Sequence, residues 1–246
     1  MFAYFYIFIF LFGLSVGSFL NVVILRLQKE EKLTGRSYCP HCKHGLSWFD
    51  LIPVASFFTL GGKCRYCHAK ISIQYPIVEI ATGLIFLLIY NYQFSIINTV
   101  LLWYVAASLI VIFVYDLRDY IIPDIILFPA IVAALPYHIS TNHFLAALLA
   151  SGFFLIIFLI SKGAWMGFGD VKLAVLLGLL LGFPNILLGL FLAFFFGAII
   201  GIGAIVLNKK GLKSEMPFAP FLILGTFVAL FWGREIIDWY AHFLIF

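Results

Sequence analysis

NILLGLFLAFFFGAIIGIGAIVL, residues 185–207, runs for 23 residues without one charged side chain. A helix needs about 20 consecutive apolar residues to cross the roughly 30 Å hydrocarbon core of a bilayer, so this stretch has the length and the composition of a membrane span. The rest of the chain has the same character. Of its 246 residues 64% are hydrophobic and 11% charged, far from the roughly half apolar and quarter charged make-up of soluble domains. A soluble globular protein is excluded on these grounds.

Further apolar runs lie at about 2–25, 76–94, 98–115, 125–141, 145–161, 171–183 and 217–233. Together with 185–207 they predict an all-α polytopic membrane protein of about eight transmembrane helices, the sixth being the shortest. The interval from Arg26 to Tyr75 is the only long polar one. It divides the chain into an N-terminal part, residues 1–95, with the first span, a loop at about 27–75 and the second span, and a six-helix part, residues 96–246.

The basic residues test the count, because Lys and Arg near span ends collect on the cytoplasmic side. With the long loop inside, Arg26, Lys29, Lys32, Arg36, Lys43, Lys63, Arg65, Lys70, Arg118, Lys162, Lys172, Lys209, Lys210 and Lys213 all fall inside, and only Arg234 of the 15 falls outside. One missed span would invert everything after it. Both termini are therefore expected outside a bacterial cytoplasmic membrane, and the net charge of +4 serves topology, not nucleic acid. The first span lacks a basic leader region and a small-residue cleavage site, so it reads as a retained helix. The final segment IIDWYAHFLIF, residues 236–246, reads as an amphipathic helix lying along the outer interface.

All four cysteines fall in the long loop, as CPHC at 39–42 and CRYC at 64–67. Two CxxC turns separated by 21 residues are the spacing of a structural zinc site, each turn presenting two sulfurs to one edge of a tetrahedral ion. Disulfides are disfavoured in the reducing cytoplasm. Cys39, Cys42, Cys64 and Cys67 are thus the expected ligands, with His41, His44 and His68 read as solvated neighbours. Four thiolates leave no open position for water, so the metal braces the loop and does not catalyse.

Only 11 residues are acidic. Glu30, Glu31, Asp50 and Glu215 fall in loops, and Glu235 and Asp238 lie at the outer end; these read as solvated surface. Glu79, Asp116, Asp119, Asp124 and Asp170 sit near span ends on the cytoplasmic side, and ionisable groups so placed are functional candidates. Each also has a plain reading as a helix-end residue: Asp124 follows Pro123 at the start of a helix, and Asp170 opens another, where a carboxylate caps amides and suits the dipole. Gly167 and Gly169, just before Asp170, make room for close approach from the other side. Two carboxylates brought together in a partly dry site share one proton, and can then act as base and acid on a single water. No Ser/His/Asp or Cys/His set competes, since His138 and His143 lie toward the outer side without a nucleophile.

These residues resemble a known family. GFGD at 167–170 fits the GxGD motif of membrane aspartic proteases, and GFGDVK resembles the version found in type IV prepilin peptidases. DLRDYIIPD at 116–124 is similar to that family's first catalytic block. GSFLNVVILRL at 17–27, the paired CxxC loop, ISIQYPIVEIATG at 71–83 and PFAPFL at 217–222 resemble further blocks, in the same order and over most of the chain. The resemblance implies Asp116 and Asp170 as the catalytic pair. Asp119 and Asp124 are close enough in sequence to rival Asp116, which the resemblance favours. Arg118 and Lys172 are read either as tuning the pair or as topology-setting charges.

The implied substrates are type IV prepilins and pseudopilins, whose basic leader is cut ahead of a hydrophobic helix that diffuses in the surrounding membrane lipids. Many members also methylate the new N-terminus with S-adenosylmethionine, although no strand-GxGxxG-helix unit is present. Asn21 and Glu79 are the polar residues expected to serve that second activity, Glu79 having a plain alternative as an anchor of the second span. Two other functions compete: a non-enzymatic transporter or scaffold with a zinc-braced loop, and a GxGD protease for other signal sequences, which is not expected to carry the zinc loop.

Overall fold

In the computed structural model, residues 2–92, 95–136, 140–207 and 216–245 are described, with the side chains of 2, 3, 244 and 245 left aside. His138, Lys209, Lys210, Lys213 and Glu215 lie outside the described residues. The chain forms helices α1 (Phe2–Gln28), α2 (Ala55–Thr59), α3 (Gln74–Asn91), α4 (Ile96–Asp119), α5 (Asp124–Ala134), α6 (Thr141–Ser161), α7 (Phe168–Leu181), α8 (Asn185–Val206) and α9 (Ala219–Ile245). A 3-10 turn at Trp48–Leu51 precedes α2. Among the described residues there is no β-strand beyond two isolated bridges in the loop.

Six helices, α1, α3, α4, α6, α8 and α9, are long and apolar enough to cross a membrane. The eight-span expectation is therefore met by length for six. The other two predicted spans fold as α5, 11 residues, and α7, 14 residues, which at 1.5 Å per residue reach about 16 and 21 Å, short of a bilayer core. The causes are local. Pro136 follows α5, and without an N–H it cannot continue the helical ladder. Gly182 ends α7 in a backbone conformation (φ 61°) that suits glycine, and Pro184 follows. The expected interfacial helix at 236–246 is also not separate: α9 continues unbroken to Ile245.

The helices form two compact units, residues 1–111 and 112–246, with α4 running from one into the other. In the first, α1 packs on α3 with glycines at the crossing: a Cβ added to Gly13 would lie 2.7 Å from the Cα of Gly83, and one on Gly17 2.7 Å from the Cα of Glu79. Small residues permit such close helix approach where lipid supplies no hydrophobic drive between helices. Trp103 of α4 stacks on Phe86 (centroids 5.0 Å apart) and donates its indole N–H to the Phe86 carbonyl at 3.0 Å, so a polar handle in an apolar region is satisfied.

In the second unit α7 is the central element. Leu173, Ala174, Leu176 and Leu177 are fully buried, and so is its whole C-terminal half, which is the pattern of a helix surrounded by others. α6 lies directly on it: a Cβ on Gly178 would sit 2.3 Å from the Cα of Ala147. The far end is tied by Asn142, whose amide donates to the Phe183 carbonyl at 3.1 Å while its own carbonyl accepts the Phe183 N–H at 2.8 Å. α8 and α9 cross at Gly189 and Gly225, where a Cβ on the latter would meet the Gly189 carbonyl at 2.3 Å. α7 thus packs on α5, α6, α8 and α9.

Candidate active site

Asp116 lies in the last turn of α4 and Asp170 in the first turn of α7. Both are buried, 5% and 8% exposed, and they lie within electrostatic reach of each other. A backbone amide at the beginning of a helix faces each carboxylate: that of Ala219, the first residue of α9, faces Asp116, and that of Gly167, the residue capping α7, faces Asp170. The first amides of a helix have no partner within it and carry its positive end, so they suit carboxylates. The plain reading of Asp170 as a helix-start residue is correct in geometry, and burial beside a second carboxylate is added to it.

Asp116 Oδ2 is the one buried side-chain nitrogen or oxygen among the described residues with no hydrogen-bond partner. Buried polar atoms in folded proteins are nearly always paired, and an exception calls for an explanation such as a catalytic role. An oxygen left bare here can accept a bond from a water or share a proton with its neighbour.

The two glycines differ in role. A Cβ on Gly169 would lie 3.2 Å from Ile122, whereas one on Gly167 would meet little beyond the Gly169 nitrogen at 3.9 Å. Close approach is thus a property of Gly169 alone, and it brings the α4–α5 connection against the start of α7. There Asp124, in the first turn of α5, forms an ion pair with Lys172. The Lys172 ammonium also lies over the rings of Phe128 and Phe168, 5.7 and 5.8 Å from their centroids. Asp124 is accordingly exposed and committed to a cation, and Asp119 and Arg118 are exposed on the last turn of α4. The structure brings Asp116 and Asp170 together and leaves Asp119 and Asp124 on the surface.

In the first unit the four cysteines converge. Their sulfurs all lie within 4.8 Å of one another, the cysteines are not bridged, and Cys39 Sγ is 3.8 Å from Cys67 Sγ. A tetrahedral ion with metal–sulfur bonds of about 2.3 Å has sulfur–sulfur edges of about 3.8 Å, so the four thiols fit a metal. The two turns are built alike. Cys39 N–H donates to His44 O and Lys43 N–H to Cys39 O; Cys64 N–H donates to Ala69 O and His68 N–H to Cys64 O, all at 2.9–3.0 Å. Lys43 and His68 both take left-handed backbone, φ 59° and 58°. His41, His44 and His68 are exposed and stand outside the sulfur cluster, His44 packing on the Tyr66 ring instead. Asp50 ties the second turn to the loop through Arg65 at 2.8 Å. Burial opposes its charge, but bonds from Ser47 and Arg65 outweigh that and hold its carboxyl below the usual range.

Asn21 and Glu79 are also buried, 2% and 6% exposed. Asn21 donates to the Gly17 and Tyr75 carbonyls at 3.3 and 3.1 Å and accepts from Gln74 at 3.4 Å. Glu79 accepts the Val54 N–H at 2.7 Å. Asn21 thus ties α1 to the start of α3, and Glu79 ties α3 to the loop. His143, bonded to Ser140 at 2.8 Å, closes the far end of α7 against Gly182.

Residue-type reasoning passed over Ala219, because a backbone donor leaves no residue signature; the block PFAPFL at 217–222 was the available signal. It also passed over Ile122 and the pairing of Lys172 with Asp124.

Comparison with known proteins matches these features. A model of the bacterial peptidase A24 N-terminal domain fits residues 11–93, and one of the type IV leader peptidase family fits residues 103–202. Proteins named prepilin leader peptidase/N-methyltransferase are similar along nearly their whole length. That of Aeromonas salmonicida is 31% identical, with 96% of this chain and 94% of the relative aligned. That of Legionella pneumophila is 30% identical (97% and 95%), and that of Bacillus subtilis 31% (94% and 96%). No solved structure matches the chain. With two family models covering residues 11–93 and 103–202 and relatives aligned over nearly the full length, the chain belongs to the type IV leader peptidase family.

Proposed function

We propose that this protein is a membrane aspartic endopeptidase that removes the leader of type IV prepilins and pseudopilins at the cytoplasmic face, with Asp116 and Asp170 as its catalytic pair. The observation that carries this reading is the bare Asp116 Oδ2, on a buried carboxylate within electrostatic reach of the buried Asp170.

The ionised member of the pair takes a proton from water as its oxygen attacks the scissile carbonyl. The protonated member donates a hydrogen bond, then a proton, toward the carbonyl oxygen. Collapse of the tetrahedral species breaks the C–N bond: the leaving amine takes the proton that the first carboxylate drew from water, and the second carboxylate recovers its own from the diol hydroxyl as the carbonyl re-forms. The Ala219 and Gly167 amides, facing the two carboxylates from helix starts, favour negative charge there. A substrate anchored by a hydrophobic helix reaches the site by lateral diffusion in the bilayer.

Cys39, Cys42, Cys64 and Cys67 would hold zinc. When bound it supplies rigidity to the loop and no reaction step, since four thiolates close the shell. The relatives carry a second activity in their name, N-methylation, and we assign it to this chain with S-adenosylmethionine as methyl source. Asn21 contributes by fixing α1 against α3 and Glu79 by fixing the loop against α3, since their polar groups engage the protein itself.

Mass spectrometry of a co-expressed prepilin tests both activities together. The expected product lacks the leader and carries one N-terminal methyl group. An intact leader would refute the peptidase, and a cleaved but unmodified amine would refute the transferase alone.

A further inference from the structure

The segment between the two cysteine turns exposes large apolar side chains that the loop does not cover. Trp48 is 68% and Phe58 70% exposed, and Phe49, Leu51 and Ile52 are exposed beside them. The Trp48 and Phe49 rings stack on each other, centroids 3.5 Å apart, and neither the 3-10 turn nor α2 buries any residue. A water-facing loop does not favour this composition; aromatic rings with a polar edge concentrate where membrane meets water.

The segment is also pinned at that depth. Val54, with left-handed backbone (φ 62°), joins the 3-10 turn to α2 and donates its N–H to Glu79 at 2.7 Å. A β-branched residue keeps such a backbone only where its surroundings over-determine it. Glu79 lies five residues into α3, which begins at Gln74, so the anchor sits about 7–8 Å along a membrane-crossing helix. The apolar segment is held beside the first turns of that span. Charge agrees: residues 26–75 contain eight basic and three acidic residues, which complements an anionic lipid surface.

We propose that Trp48, Phe49, Leu51, Ile52 and Phe58 form a lipid-binding patch, seated in the headgroup region of an anionic bilayer and fixing the metal loop flat on the membrane. The patch orients the loop by its contact with lipid, independently of the metal.

The test uses the full-length protein in nanodiscs of phosphatidylglycerol and phosphatidylcholine, with and without brominated acyl chains, reading the fluorescence lost on Trp48→Phe. Brominated lipid should quench the Trp48 component by about twofold or more, and aqueous acrylamide should quench it little, as for an interfacial ring. In the Trp48→Phe background, Phe58→Trp should restore a component with the same quenching, so a fault in one variant does not decide the matter. Quenching of both reporters by acrylamide and not by brominated lipid would overturn the patch. Quenching by neither would overturn it equally, showing that protein covers these rings.

Discussion

The backbone N–H of Ala219, first residue of α9, faces the carboxylate of Asp116 at the end of α4, and Asp116 Oδ2 is buried and bare. That oxygen is free to meet water or substrate. Ala219→Pro removes that donor at a helix-start position where proline is tolerated. A hydrogen bond to a charged group contributes about 1.5–3 kcal/mol, so cleavage should fall roughly 10- to 100-fold. Initial rates of prepilin cleavage, normalised to the amount of inserted protein, check this.

Asp124 and Lys172 form an ion pair on the surface of the second unit, with the Asp124 side chain 54% exposed. Exposed pairs contribute about 0–1 kcal/mol, so Asp124→Asn should leave the protein folded and reduce cleavage by no more than about tenfold. Asp119→Asn should behave likewise. Inactivity of either variant as complete as that of Asp116→Asn would move the first catalytic role away from Asp116.

Glycines at the start of α7 offer a paired comparison. Gly167→Ala places its methyl in open space and should retain near-normal activity. Gly169→Ala pushes on Ile122 at 3.2 Å, displacing the α4–α5 connection from the helix that carries Asp170, and should lower the cleavage rate more than Gly167→Ala does. Gly178→Ala meets Ala147 backbone at 2.3 Å and should instead lower protein level, through an overpacking cost of about 1–3 kcal/mol. Side-by-side activity and detergent thermal-melt measurements separate the two effects.

Much of this was legible in the sequence. The uncharged run 185–207 is α8, the spacing of the four cysteines points to one metal site, and Asp116 and Asp170 are among five carboxylates near span ends, from which the family resemblance picks them. What stayed hidden follows from the kind of information a residue type carries. Ala219 acts through its backbone, which any residue supplies. The pairing of Asp124 with Lys172 crosses 48 positions and depends on packing. The length of α5 was overestimated because apolar composition continues past the point where Pro136 ends the helix, whereas α7, read as the shortest span over 171–183, is short as expected and begins earlier, at Phe168. Gly167 and Gly169 look alike in sequence, and only their neighbours tell them apart.

Replacing Cys39 and Cys64, the two buried thiols, by serine should abolish bound metal and expose the loop to protease. Metal analysis of purified wild-type and double-variant protein checks it: about one zinc per chain is expected in the first and close to none in the second. Equal metal content in both would contradict the four-thiolate site.

The paired-carboxylate mechanism is tested most directly by Asp170→Asn, assayed for leader cleavage on a co-expressed prepilin with membrane insertion checked in parallel. Asparagine preserves shape and removes the proton-sharing group. An inserted protein with no detectable cleavage is predicted, as for Asp116→Asn; cleavage retained by inserted Asp170→Asn would contradict the mechanism.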